Sequence, residues 1–326
     1  MHSIYQLCFL LLGTIVPTFV ALHAQQLPQY TQFSLNPFLV NPALAGTEDF
    51  IDLRAGYRSQ WSGFKDAPQT AYFSAHSSLN PVRRGYGKQA ATASRTAVGM
   101  TLSHDKTGPL KQSNGSLTFA YNFALNRHGL RASFGLNGGI KGFSFNPEGY
   151  TDHVLDPDDP TIQQSVGKVL LDLGAGVWLY NEEFFAGASS SQLFNPDYEA
   201  GGTAGEFAPE TALLRHYFVM AGVKLKLGYE AFLVPSVLVK QVAGAPISYE
   251  LNAKVMLQDR YWLGGNYRHE DSFAVFGGLL LNDRVSVSYS FDLVLSKIRT
   301  AAAGSNEIHV GYRIFSEGVV CPNRFW

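Results

Sequence analysis

The side chains able to do chemistry are scattered. Five of the seven histidines beyond residue 24, His76, His104, His216, His269 and His309, could serve a Ser-His-Asp arrangement, since such triads assemble from any chain order. No spacing singles one out. G-x-S-x-G, H-E-x-x-H and P-loop signatures are absent from the sequence. The acidic run Asp156-Pro157-Asp158-Asp159 offers oxygen ligands for Ca²⁺, but it lacks the Asp-x-Asp-x-Asp-Gly order of an EF-hand and is broken by proline. No histidine has a partner at metal-ligand spacing. The expectation is a non-catalytic chain with no cofactor and no metal. What remains is a set of ionised residues, Asp52, Arg54, Arg58, Glu250, Lys254, Arg268, Asp292, Glu307 and Arg313, each at the polar position of an otherwise apolar alternation.

That alternation has period 2 from residue 49 onward, the mark of strands. Val285, Val287, Tyr289, Phe291 and Leu293 alternate with Ser286, Ser288, Ser290 and Asp292. Tyr249, Leu251, Ala253, Val255 and Leu257 alternate with Glu250, Asn252, Lys254 and Met256, and Leu117, Phe119, Tyr121 and Phe123 share one face. Fourteen strands are expected, over 49–58, 69–79, 96–104, 115–125, 130–143, 169–181, 183–192, 215–227, 230–240, 247–258, 260–268, 272–281, 284–295 and 307–316. Most are long enough to cross a bilayer at a tilt of about 45°, whereas soluble strands usually run about 5–6 residues. An even count suits a closed bacterial barrel with both ends in the periplasm.

The connections alternate in length. Short turns fall at Asn126–Gly129, Glu182, Gly228-Tyr229, Asp259 and Asn282-Asp283; longer ones at 59–68, 105–114, 144–168, 193–214 and 296–306. Val242–Pro246 and Glu270-Asp271 are short on the long-loop side, and Asn80–Arg95 is long on the short-turn side. This last stretch is basic (Arg83, Arg84, Lys88, Arg95), and 146–168 is acidic.

Composition agrees with a barrel. Charged residues are 16% of 326, against about 25% in a soluble protein, while aromatics reach 13% and glycines number 32. A net charge of −1 suggests no nucleic-acid partner. With apolar sets toward lipid, the ionised residues line the interior, because Arg or Lys on the lipid face costs about 2–4 kcal/mol near the midplane. Their mixed signs fit a lumen filled by protein better than a selective pore. Tyr57, Trp61, Trp178, Tyr180, Phe184, Tyr261 and Trp262 fall near strand ends, as interfacial girdles do.

The chain reads as four parts. Residues 1–24 resemble a secretory signal closing at Leu22-His23-Ala24. Residues 25–48, with Asn36-Pro37 and Asn41-Pro42, form a lead-in that folds under or into the barrel as a plug. Residues 49–316 are the transmembrane barrel, and 317–326 a periplasmic tail. With Cys8 lost to cleavage, Cys321 has no internal disulfide partner.

Specific words then carry a resemblance: Gln29-Tyr30-Thr31-Gln32-Phe33, Asn41-Pro42-Ala43-Leu44-Ala45-Gly46, Tyr57-Arg58-Ser59-Gln60-Trp61, Asp105-Lys106-Thr107-Gly108-Pro109, Trp262-Leu263-Gly264-Gly265-Asn266-Tyr267-Arg268 and Tyr289-Ser290-Phe291-Asp292. In this order they make the sequence similar to the PorP/SprF family of outer-membrane proteins of type IX secretion. The resemblance implies an outer-membrane barrel that works with other secretion components and outer-membrane lipid and receives or anchors secreted cargo through the cargo's C-terminal domain; some members are tied to gliding motility. It marks Asn41, Pro42, Gly46, Arg58, Trp61, Asp105, Gly108, Pro109, Arg268 and Asp292 as structural or partner-contacting positions. The alternative is a channel for small or hydrophobic solutes, like fatty-acid transport barrels.

Overall fold

A computed structural model describes residues 30–80, 93–146, 166–194, 214–242, 245–300 and 302–315. The leader, Arg83, Arg84 and Lys88, the acidic loop with Asp156–Asp159, and the tail with Cys321 lie outside the described residues.

The strands are β1 (Ile51–Ser59), β2 (Gln69–Ser78), β3 (Arg95–Thr107), β4 (Leu110–Ala124), β5 (Arg131–Phe145), β6 (Val166–Tyr180), β7 (Phe184–Ser191), β8 (His216–Val223), β9 (Leu225–Lys226), β10 (Ala231–Val242), β11 (Ser248–Leu257), β12 (Tyr261–Arg268), β13 (Ser272–Leu280), β14 (Val285–Val294) and β15 (Ser305–Ile314). Each pairs antiparallel with its neighbour, β1 pairs with β15, and β10 with β11, so the sheet closes. β8 and β9 both pair with β10, one after the other. They are one wall strand interrupted at Lys224, so the wall of this closed antiparallel barrel has fourteen strands. The candidate 215–227 therefore holds as one strand with a break. Among the described residues no helix is long and apolar enough to cross a membrane.

The alternation assigns the faces as expected. Leu117, Phe119 and Tyr121 are exposed outward while Thr118, Ala120 and Asn122 between them are buried. Three of the short turns share a local cause. The side-chain oxygens of Asn126, Asn181 and Asn282 each accept two backbone N–H groups beyond them, at 2.7–3.1 Å. Asparagine at a strand end thereby closes the turn itself.

Two expectations are corrected. No loop spans 105–114: β3 and β4 pair through Thr107 and Leu110, with Gly108 at φ 55° turning the chain beside Pro109. The hydrophobic alternation fades there because the outward side chains become polar, not because the strands end. For the same reason β5 and β6 run into the stretch 144–168, pairing out to Phe145 and Val166. Trp262 has inward parity on β12, beside Gly278, and Trp178 and Tyr180 are not girdle residues either. The latter two are only 1% and 2% exposed, and Trp178 stacks on Phe185 at 5.3 Å between ring centroids.

Residues 31–50 join no wall pair. They form two 3-10 turns, Pro37–Leu39 and Pro42–Leu44, each opened by an Asn-Pro, where proline fits the first turn because it needs no N–H acceptor. Phe33, Phe38, Leu44 and Ala45 are buried with Ala97, Ala120, Trp178 and Phe218 of the wall in one apolar cluster.

Candidate functional site

The inward face is organised around residues 31–50. Antiparallel register sets Arg58 of β1 opposite Glu307 of β15, and Asp292 of β14 opposite Ser305, two residues from Glu307 on the same strand. Three charges far apart in sequence therefore meet. Arg58 Nη2 donates to Asp292 Oδ2 at 2.7 Å and Nη1 to Glu307 Oε2 at 3.4 Å. Into this trio comes Thr31. Its hydroxyl donates to Asp292 at 2.6 Å, its amide donates to Glu307 at 2.8 Å, and Arg58 Nη1 donates to its Oγ1. Gln32 Nε2 donates to the Glu307 carbonyl at 3.1 Å, and Ser288 donates to Gln32 at 2.5 Å. Tyr72 Oη donates to Glu307 Oε1 at 2.9 Å. Tyr30 meets the Tyr72 ring edge-on at 4.9 Å. Burial, then the Glu307 and Asp105 carboxylates, push the Tyr30 phenol up and keep it neutral.

The two carboxylates outnumber the one guanidinium, so Thr31 and Tyr72 supply further donors, Thr31 to both carboxylates and Tyr72 to Glu307. A buried charge without such partners costs several kcal/mol.

The other end of the segment is seated differently. Asn41 caps its 3-10 turn through Ala43 N at 2.9 Å, and its Nδ2 reaches the carbonyls of Val177 on β6 and Ala188 on β7 at 3.1 and 3.3 Å. Ser189 donates to Val40 O at 2.6 Å, and Asn122 donates to Ala45 O at 3.1 Å. Glycines make this approach possible. A Cβ on Gly135 would strike the backbone of Pro42 and Ala43, and one on Gly176 would strike Asn41. Glycine within a strand marks such close approach of another backbone. Gly46, at φ 65°, turns the chain against Ala97, and Asp49 pairs with Arg95 of β3 at 2.7 Å.

Other expected residues form separate groups. Arg268 and Glu250 are register partners with Nε to Oε1 at 3.1 Å; Arg268 also holds Asp271 at 2.8 Å, and Lys240 pairs with the same Glu250. Arg54 and Asp52 pair at 2.7 Å, with His76 Nε2 at 3.8 Å from Asp52. Lys254 is buried on the inward face. The Arg313 guanidinium lies 5.3 Å from the Phe50 ring centroid. Asp105 accepts from Thr70 at 2.5 Å. Trp61 adopts a left-handed backbone, φ 47°, and its amide donates to Ser305 at 3.2 Å; it and the Gly108-Pro109 turn belong to the wall's long-loop end rather than to the interior. Arg58, Asp292 and Glu307 thus come together, as do Arg268 with Glu250 and Asp52 with Arg54. The sequence reading missed Thr31, Gln32, Tyr72, Asp49 and Lys240. Thr31, Gln32 and Asp49 lie off the wall, of which period 2 says nothing, whereas Tyr72 on β2 and Lys240 on β10 have inward parity, which was the available signal.

Above residues 30–40, toward the long-loop end, a cavity of about 210 Å³ is lined by Tyr30, Phe33, Phe218, Lys240, Glu250 and Arg268 among others. No cluster of three or more His, Cys, Asp or Glu able to hold a metal occurs among the described residues. His104 Nδ1 and Ser113 Oγ, 2.9 Å apart, lie on the exposed outward face and not in this cavity.

A closed sheet with an apolar outer face and an inward face of paired charges is a β-barrel membrane protein. The type IX secretion system membrane protein family PorP/SprF matches residues 22–312, and the chain belongs to that family. No curated protein matches it. Among solved structures it is similar to a mutant porin of Rh. blastica, at 9% identity, covering 81% of this chain and 99% of that one, with a TM-score of 0.34. It is also similar to a mutant ferric enterobactin receptor from Pseudomonas aeruginosa, at 13% identity, covering 76% of this chain and 44% of that one, with a TM-score of 0.34.

Proposed function

We propose that this chain is an outer-membrane, non-catalytic component of the type IX secretion system that binds a secreted surface protein through that protein's C-terminal domain, alongside other secretion components. Residues 25–48 act as a plug, the short-turn end faces the periplasm, and the long-loop end faces outward. The observation that carries this reading is the Thr31–Arg58–Asp292–Glu307 network. It fastens the N-terminal segment across the lumen, which suits a docking body better than an open solute channel. The cavity above the segment opens toward the long loops, where a secreted partner would arrive. Motif residues such as Asn41, Pro42 and Gly46 serve to seat the plug rather than to touch cargo.

The test is a gentle detergent pull-down of the tagged full chain from native membranes, followed by mass spectrometry. A secreted protein bearing a C-terminal sorting domain, retained with secretion components, is the expected result. A bare barrel, together with intact secretion after deletion of the gene, would overturn the reading. High conductance of the purified barrel in planar bilayers would favour the solute channel instead.

A further inference from the structure

The outward face of β3 and β4 carries two lysines at its long-loop end, where Tyr57 on β1, Tyr217 on β8 and Tyr267 on β12 also face outward. Such rings are ordinary interfacial anchors. On β3 and β4 the Tyr57 row continues through His104 and Ser113, and one outward row nearer the loop stand Lys106 and Lys111, directly opposite each other in register. Both are exposed, and neither makes an ion pair with a described residue. Like charges set opposite one another on a sheet repel, so this pair is poised for an anion outside the chain.

Register places the next rows below them. Gln69, Lys106, Lys111 and Ser144 form the first polar row; beneath it run Ala71, His104, Ser113 and Gly142; then Phe73, Leu102, Gly115 and Ile140 begin the apolar band. The lysines therefore stand where the lipid-facing surface ends, at headgroup level. The row of small residues under them leaves an open groove of about 530 Å³, walled by Phe73, Leu102, Ile140 and Val169 and floored by Gly115 and Gly142. That volume falls in the range of about 300–1,000 Å³ that holds small-molecule ligands. Gly142 is not required by packing, since a Cβ there meets nothing nearer than Ser113 O at 3.8 Å.

We infer that this face binds a phosphate-bearing glycolipid of the outer leaflet, with Lys106 and Lys111 on a phosphate and an acyl chain in the groove beneath. Charge complementarity selects a phosphate over a neutral headgroup. The position at the long-loop end selects the outer leaflet, and with it a glycolipid; the inference takes only this orientation from the proposed function.

The experiment uses the purified full chain in detergent, titrated with bis-phosphorylated lipid A and read by native mass spectrometry. Dephosphorylated lipid A and phosphatidylglycerol are the comparison probes. The wild type should retain lipid A in preference to both. The double variant K106Q/K111Q should bind it about 30-fold more weakly, the loss expected for two cations at a membrane surface. K106R/K111R should bind like the wild type, and G142L, which fills the groove, should weaken binding with the lysines intact. A heat-induced gel shift verifies that each variant is folded, and cargo pull-down reads the proposed function separately. Undiminished lipid A binding by folded K106Q/K111Q, or phosphatidylglycerol bound as tightly as lipid A, overturns the inference.

Discussion

The two ends of the buried N-terminal segment are held by opposite physics. At Thr31 the wall offers charge: one guanidinium and two carboxylates, with the Tyr72 hydroxyl on one of them. At Asn41–Ala43 the wall offers shape: Gly135 and Gly176 remove side chains so that backbone can approach, and one asparagine amide reaches two wall carbonyls. The ionic end depends on every member being present, because a removed partner leaves a buried charge. The glycine end depends on empty volume, and any added atom costs.

The largest effect should come from Arg58→Ala. It strands Asp292 and Glu307, a loss of about 3–5 kcal/mol for a broken buried pair. Urea unfolding in lipid vesicles should show the drop, and planar-bilayer conductance should rise as the segment loosens. Unchanged conductance would mean that the glycine seat alone holds the segment.

Gly135→Val comes next, because its side chain meets the Pro42 and Ala43 backbone. Overpacking of this kind costs about 1–3 kcal/mol, measurable in the same unfolding assay, with protease access to residues 31–50 increased.

Asn41→Ala should cost about 1–2 kcal/mol, from the lost cap and the two carbonyls left without its amide. A value near zero would show that the proline turns keep their place without it.

The smallest quantity is a coupling energy that sharpens the comparison. Thr31→Val combined with Arg58→Ala should be non-additive, since the two side chains contact each other. Thr31→Val combined with Gly135→Val should add within about 0.5 kcal/mol, as independent sites do. Equal coupling in both cycles would mean that the segment docks as one unit and would erase the distinction between its ends.

Much of the wall is legible in the order of the amino acids. Alternation puts Arg58, Glu250, Arg268, Asp292 and Glu307 on the inward face, where they lie. The same rule fails at 105–114, because alternation of polarity marks a strand only while one face meets lipid. Lys106 and Lys111 belong to strands that continue to that boundary and on to the Gly108-Pro109 turn. It also fails for Trp178 and Tyr180, whose position near a strand end resembles a girdle although their parity points inward. The family resemblance singles out Arg58 and Asp292 without saying that they touch.

The sequence by itself determined which side chains face in and out, where the short turns fall, and that the lead-in 25–48 does not read as a wall strand, since these follow from local periodicity and from proline chemistry. Only the tertiary structure decided which charges pair and what the glycines receive. Partners such as Arg58 and Asp292 lie 234 residues apart, and a two-residue period specifies a face but not a register. Closure of the barrel sets that register, and the lumen it creates is what brings Thr31 to Glu307 and Pro42 to Gly135.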